Sequence, residues 1–414
     1  MTDSTRCDVL IVGGGPAGST CARVLREHGV DVVVLDKAQF PRDKVCAGWV
    51  TPQVLQTLGI DLADYGATRT LQPITAFRTG VIAGTPVGTD YREPVSYGIR
   101  RSEFDHYLLA RSGARLRQAE AFQRAVRAEA GGWCVNGTIG ARLLVGAGGH
   151  FCPVARELGA QLGSGETVIA AQELEYRLSP EQAARCTVAP ERPELYFCPD
   201  LKGYGWCFRK GDWLNVGLGR EDKRRLSAHV EAFCEWLQRE ARVPADLPAR
   251  FKGHAYLLYT RAPRPLYGAD VLLIGDAAGL AYPQSGEGIR PAVESGIFAA
   301  QAIVQALAAT GASAREAAFA DYAVQIERRF GRRAAPVRSQ SGTLPAAPPV
   351  PGAGAGSTSA AGDDGVASAA WRQRAARWLL STRWFSRHVV IDRWFLHGQQ
   401  PPLPRIGGSG GVSG

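Results

Sequence analysis

Residues Cys7 to Leu35 read CDVLIVGGGPAGSTCARVLREHGVDVVVL, and no other stretch limits the fold of this chain so tightly. The apolar run Val9–Val12 has the pattern of a buried strand, and Ala17 to His28 has helical character. Gly29 stops that helix and Val30–Leu35 forms the next strand. Glycines stand at 13, 15 and 18. Gly13 permits the tight turn, Gly15 lets a pyrophosphate approach the backbone, and Gly18 lets the helix pack close to the strand. Phosphates would then face the helix N-terminus, where free N–H groups and the dipole favour negative charge. Asp36 ends the second strand 18 residues after Gly18, where an acid can hydrogen-bond a ribose hydroxyl. The expected dinucleotide contacts are therefore Gly13, Gly15, Pro16, Ala17, Gly18 and Asp36, with Lys37 beside them. The motif alone does not separate NAD from FAD.

A chain of 414 residues is long enough for two or three domain-sized units. Its net charge of +9 is scattered through the body and concentrates only near the C-terminus, with no nucleic-acid-binding motif, so no nucleic-acid partner is expected. The nine cysteines form no CxxC pair and no secretory signal precedes them. A disulfide framework is thus not expected, and a reducing cytoplasm is the default location. The seven histidines show neither HExxH nor paired Cys/His spacing, so no metal site is expected.

Val271 to Gly296, VLLIGDAAGLAYPQSGEGIRPAVESG, decides between the two dinucleotides. A strand pattern runs into Gly275-Asp276, and a helix opens near Ile289. An acid at the carboxyl end of a strand, far in sequence from the first motif, can bind the ribityl chain of a flavin. The Gly286-Glu287-Gly288 turn then places N–H groups and a helix N-terminus beside the flavin pyrimidine, where they stabilise the reduced anion. The expected cofactor is FAD.

These motifs, GGGPAG, RSEFD at Arg101–Asp105, and GDAAG with SGEGI, resemble those of the superfamily of FAD-dependent hydroxylases, halogenases and geranylgeranyl reductases. The resemblance covers about residues 5 to 335. It implies an α/β fold: a Rossmann-type FAD-binding domain (1–70, 98–165 and 262–335) with an inserted β-rich substrate domain (71–97 and 166–261). It also implies that Arg101 approaches the FAD phosphates or ribityl chain from a helix start, where Ser102 and Asp105 make a capping-box-like pattern. Many relatives carry an acid in an Ala-Asp-Gly motif, whereas this chain reads GAGGHFCPVAR with Gly148 at that point, so that carboxylate is lost.

Within the superfamily, the Trp-x-Trp-x-Ile-Pro segment of halogenases does not occur. Lys44-Val45-Cys46-Ala47-Gly48 is similar to the Lys-x-Cys-Gly-Gly segment of geranylgeranyl reductases, with Ala47 in place of a glycine. GYGWCFRKGDWLNVGLG (Gly203–Gly219) is similar to their Tyr-x-Trp-x-Phe-Pro segment, with Arg209 in place of the proline. Alternation puts Tyr204, Trp206 and Phe208 on one strand face, suited to a flat or long apolar substrate or simply to a half-buried sheet. Lys44, Cys46 and Ala47 join the expected flavin neighbours, and Cys46, Tyr204 and Trp206 are the catalytic candidates. Cys46 is read as a neighbour of the flavin in preference to a buried filler or a reactive thiol, because no His or Asp stands at a partner spacing.

From Pro336 to Ala370 the chain is dense in Ala, Pro, Gly and Ser and reads as a linker. Residues 371–406 form a basic aromatic helical segment and 407–414 a flexible tail. Trp371–His397 holds four of the nine tryptophans and six arginines against one aspartate, with Trp371, Trp378 and Phe385 spaced by sevens as on one helix face. Such a segment can lie on an anionic membrane, dock a protein partner, or fold back onto the body. The expected function is FAD-dependent oxidoreduction of an apolar or aromatic substrate, free or carried by a protein. With no second GxGxxG unit, electrons are expected from transiently docked NAD(P)H or a separate reductase. The alternatives are a monooxygenase, including one that oxidises a protein-borne tryptophan during quinone-cofactor maturation, and a flavin-bearing maturation or binding factor without turnover.

Overall fold

The computed structural model describes residues 5–129, 131–160, 166–222, 225–248, 250–331, 363–403 and 405–406. Strand β1 (Thr5–Val12) runs through Gly13–Gly15 into helix α1 (Pro16–Glu27), and the chain returns as β2 (Val32–Leu35), parallel to β1. Gly29 ends the turn at φ +74, a left-handed conformation that glycine adopts without a Cβ clash. In an eight-stranded sheet β1 lies between β2 and Ile139–Gly146, with Val271–Leu273 beyond, and all four are parallel. Their carboxyl ends open on one side, where open α/β sheets bind ligands. Helix Ile289–Ala308 crosses α1 closely: a Cβ on Gly296 would lie 2.7 Å from the Ala17 carbonyl oxygen. Helix Ala312–Phe330 packs on its outer side.

A second sheet has seven strands in the order Lys252–Tyr256, Ile169–Arg177, Trp213–Arg220, Gly203–Lys210, Glu194–Phe197, Ala76–Val81, Val87–Asp90. Alternation gives it two apolar faces. Cys207, Leu214, Val216 and Leu218 pack on Phe233 and Leu237 of the helix Leu226–Arg239. Trp206, Phe208, Leu195 and Phe77 turn the other way. A three-stranded sheet of Trp49–Val50, Ser96–Ile99 and Leu71–Ile74 completes the strands.

At the C-terminus, helix Asp363–Leu380 is followed by a turn and by a second helical piece, Arg383–Phe385 continuing as the π-helical Ser386–Phe395. Leu380, Val390, Ile391, Phe395 and Leu396 bury themselves against the Trp206 face. The heptad spacing put Trp371, Trp378 and Phe385 on one helix, but the helix ends at Leu380. The Ser381 and Thr382 hydroxyls donate to the carbonyls of Trp378 and Leu379 at 2.6 and 2.8 Å, an alternative to continuing the helix. Phe385 therefore belongs to the next piece and is half-buried, while Trp371 and Trp378 stay exposed. Of the stretch read as a linker, residues up to 362 lie outside the described residues, and 363–370 already belong to the helix. The tail 407–414 also lies outside them. Among the described residues no helix is long and apolar enough to cross a membrane.

Candidate functional site

The carboxyl ends of the parallel strands and the Trp206 face of the second sheet enclose a cavity of about 690 Å³, a size typical of small-molecule and cofactor sites. Of the residues expected at a cofactor, Gly13, Gly15, Pro16, Ala17, Asp36, Lys37, Lys44, Cys46, Ala47, Arg101, Asp276, Gly286, Gly288 and Ile289 all line it, as do Tyr204 and Trp206. Gly18 and Gly275 do not. A Cβ on Gly18 would meet the Gly13 carbonyl oxygen at 1.9 Å, so this glycine sets the packing of α1 on β1. Gly275 sits at φ +59 and holds its turn close to Ala17 and Ala292.

At one end, Gly13 has φ +114, and a Cβ there would lie 2.4 Å from the Ala147 carbonyl oxygen. Gly15 differs: the nearest atom to its missing Cβ is an Arg42 nitrogen at 3.6 Å, so its backbone faces open cavity. Gly15 also caps α1 without a side-chain hydrogen bond, leaving the first-turn N–H groups to a ligand. The Asp36 carboxylate accepts from the Gly14 and Ala38 N–H groups at 2.7 and 2.8 Å and stands at the cavity wall.

Arg101 is buried and makes a bidentate pair with Asp105 at 2.8 and 2.9 Å. Arg42 approaches the same carboxylate at 3.1 Å. Two guanidiniums share one carboxylate, which leaves a net positive charge in this wall. The capping-box reading of Ser102 and Asp105 does not hold: the N-cap of this helix is Arg100, with no side-chain cap, because the Asp105 carboxylate is taken up by buried Arg101 and half-buried Arg42.

At the other end, Asp276 sits in the 3-10 turn Gly275–Ala277, and the loop Ser285–Gly288 leads into helix Ile289–Ala308, whose N-cap Gly288 has no side-chain cap. Burial acts to raise the Asp276 carboxyl, but the hydrogen bond from His254 and the charges of Lys44 and Arg101 hold it at about 2. His254 is also held below its ordinary value, chiefly by burial and also by the Lys44 charge. The pair is therefore a neutral imidazole beside a carboxylate, with its Nε2 3.6 Å from Asp276 and Lys44 Nζ 3.2 Å from its Nδ1. In the turn where the family acid is missing, the backbone of Gly148 and Gly149 and the His150 ring form the wall. Burial and Arg264 push that imidazole down to about 4.

The side facing the second sheet is aromatic. Trp49 stacks on Phe395 at 5.4 Å and meets the edge of Phe208 at 5.7 Å, while Tyr204 lies edge-on to Phe395 at 5.3 Å. The Tyr204 hydroxyl donates to the Ser285 carbonyl at 2.5 Å and the Trp206 indole N–H to Asn215 Oδ1 at 2.7 Å. Both polar tips are thereby satisfied, and the rings offer their apolar bodies. The Cys46 thiol accepts from the Gly48 N–H at 3.4 Å.

Glu173, His254, Glu287, Trp49 and Phe395 also line the cavity and were not singled out in the sequence. Glu173 is the sharpest case, since the only signal was a pair of acids, Glu173 and Glu175, in the strand pattern of IAAQELEYR. Its Oε1 accepts from the Cys46 N–H at 2.6 Å and its Oε2 from Asn215 Nδ2 at 3.4 Å. Burial pushes its carboxyl up to about 7, against the Cys46 N–H and the Lys210 charge, which act to lower it.

These features fit FAD: one uncapped helix N-terminus and glycine backbone for a diphosphate, a second uncapped N-terminus at the far end, an uncompensated guanidinium, a carboxylate for sugar hydroxyls, and a flat apolar wall. Thr51 Oγ1 is buried at the cavity without a hydrogen-bond partner among the described residues.

Comparison with known proteins points the same way. The model of the FAD binding domain family matches residues 6–333. The chain is 31% identical over 323 residues to a menaquinone reductase of Mycolicibacterium smegmatis, covering 72% of this chain and 76% of the relative. It is 29% identical over 359 residues to the chloroplastic geranylgeranyl diphosphate reductase of Oryza sativa, covering 80% of this chain and 73% of the relative. A solved geranylgeranyl bacteriochlorophyll reductase-like protein of Thermoplasma acidophilum shares the fold, with a TM-score of 0.66 at 22% identity over 80% of this chain and 85% of that one.

Proposed function

The chain belongs to the FAD binding domain family and is an FAD-dependent oxidoreductase, and on that premise we propose that it saturates a carbon–carbon double bond in a long isoprenoid chain. The observation that carries this is the aromatic chamber of Trp49, Tyr204, Trp206, Phe208 and Phe395, which continues the cofactor cradle and in which the polar tips of Tyr204 and Trp206 are already paired. Relatives named menaquinone reductase and geranylgeranyl diphosphate reductase act on substrates of that kind. When bound and reduced, FAD supplies a hydride. The residues proposed to hold it are Gly13, Gly15, Pro16 and Ala17 at the diphosphate and Asp36 with Lys37 at the adenosine side. Arg101 and Asp276 are proposed at the ribityl region, with Cys46, Ala47, Gly286, Gly288 and Ile289 around the ring. NAD(P)H or a separate reductase is proposed as the electron source.

The test is an anaerobic assay with dithionite-reduced holoenzyme and menaquinone or geranylgeranyl diphosphate. The expected product carries two more hydrogens in its isoprenoid chain, a gain that persists after any quinol is reoxidised in air. A product that forms only with oxygen and carries a hydroxyl would establish the monooxygenase in its place.

The exposed Trp371, Trp378 and Trp384, among exposed Arg374, Arg383 and Arg387, support contact with an anionic bilayer in which such a substrate dissolves. Co-sedimentation with phosphatidylglycerol vesicles and not with phosphatidylcholine vesicles is expected, and no binding to either would refute the contact.

A further inference from the structure

Reduction of an alkene needs two hydrogens of different kinds. The π bond breaks, one carbon takes a hydride with its electron pair, and the other takes a proton. A reduced flavin accounts for the hydride and is itself oxidised, so the protein must hold the proton.

The cavity has few acids to offer. Asp36 is turned to backbone N–H groups at the diphosphate end, and Asp276 is kept ionised beside Lys44 and Arg101. Glu287 faces His397 at 3.3 Å. Glu173 stands between Cys46 and Trp206, where the cofactor end meets the aromatic chamber.

We infer that Glu173 is the proton donor of the reaction, delivering the proton from its carboxyl oxygen to the substrate carbon that does not receive the hydride. This rests on the reading of the protein as an alkene reductase. The leaving charge stays on Glu173 as a carboxylate, which takes its next proton from solvent between turnovers.

The surroundings keep this one acid protonated. Glu173 is 5% exposed, and among the described residues no cation lies within ion-pair distance of it. Lys210, whose charge acts on it, is committed to Glu175 at 2.6 Å and to the Ile99 carbonyl at 2.9 Å. Lys252, the cross-strand neighbour of Glu173, pairs with Asp43. From the other flanking strand comes Asn215, an uncharged donor, and from the cofactor side the Cys46 N–H. The negative charge of Glu175 adds to burial in favouring the protonated form, which puts the carboxyl at about 7, suited to giving up a proton near neutral pH.

Two measurements on FAD-loaded protein test this. In infrared difference spectra, a protonated-carboxyl C=O band that titrates near neutral pH and vanishes in Glu173→Gln is expected. A spectrum unchanged by the substitution would overturn the assignment. In anaerobic single turnover, Glu173→Gln is expected to bind FAD and accept electrons like the wild type while product formation falls by about 10²- to 10⁴-fold. An undiminished rate would refute the donor role and leave the reductase intact, whereas a wild type that forms no saturated product at all would refute the reductase reading on which it stands. Glu173→Asp, which keeps an acid, is expected to recover part of the rate, and a rate as low as that of Glu173→Gln would count against proton donation.

Discussion

The buried carboxyl of Glu173 makes the stability of this protein depend on pH in a way that one substitution should erase. Its value in the folded chain is about 7, against an ordinary 4.5, with burial as the leading cause. Because the folded value is raised, the stabilising protonated state is fully present below pH 4.5 and is lost as pH rises through about 7. At about 1.4 kcal/mol for each tenfold change in proton affinity, the whole effect is roughly 3 kcal/mol. About 2.5 kcal/mol of it falls between pH 5 and 8.5. Glu173→Gln keeps the oxygen that accepts the Cys46 N–H and has no charge to bury. Urea unfolding of wild type and variant at pH 5, 6, 7, 8 and 8.5 gives the difference directly, since every other titrating group contributes to both. The variant should gain on the wild type by roughly 2.5 kcal/mol across that range. Parallel curves would mean that Glu173 ionises as easily in the folded chain as in the unfolded one, and the account of its burial would fail.

Three further perturbations have defined outcomes. Gly18→Ala forces a Cβ to within 1.9 Å of the Gly13 carbonyl oxygen; a loss of about 1–3 kcal/mol or more is expected, with poor retention of FAD on gel filtration. Asp276→Asn removes a carboxylate held ionised at about 2, and FAD should bind more weakly by roughly 10- to 100-fold, as for one charge-assisted hydrogen bond, in a fluorescence titration. Phe395→Ala deletes a 4%-exposed ring stacked on Trp49; a cost of about 3–5 kcal/mol is expected in thermal unfolding, with a raised KM for the proposed isoprenoid substrate as the enlarged chamber loses its grip.

Much of the cofactor cradle was legible because its constraints are local. The turn at Gly13, the open backbone at Gly15 and the contact at Gly18 act within a few residues of one another and leave a fixed spacing. Asp276 and the Gly286–Gly288 turn were readable for the same reason, each being a strand end or a helix start with its own pattern. The alternation in Gly203–Lys210 likewise put Tyr204, Trp206 and Phe208 on one face. Readings that depended on an unseen partner failed. Ser102 and Asp105 look like a capping box until Arg42, distant in sequence, arrives at the same carboxylate. Trp371, Trp378 and Phe385 look like one helix face until the hydroxyls of Ser381 and Thr382 end the helix.

By itself the sequence determined the dinucleotide unit, the order of its strand, turn and helix, and the presence of a second flavin-type turn near Asp276, because backbone sterics and short-range hydrogen bonding write themselves into residue type and spacing. Tertiary structure alone decided that Phe395 closes the aromatic chamber, that Lys210 pairs with Glu175, and that Glu173 is left buried beside Cys46 with no cation at ion-pair distance among the described residues. Those outcomes turn on desolvation and on contacts between residues as far apart as 46 and 173, which no local pattern can record.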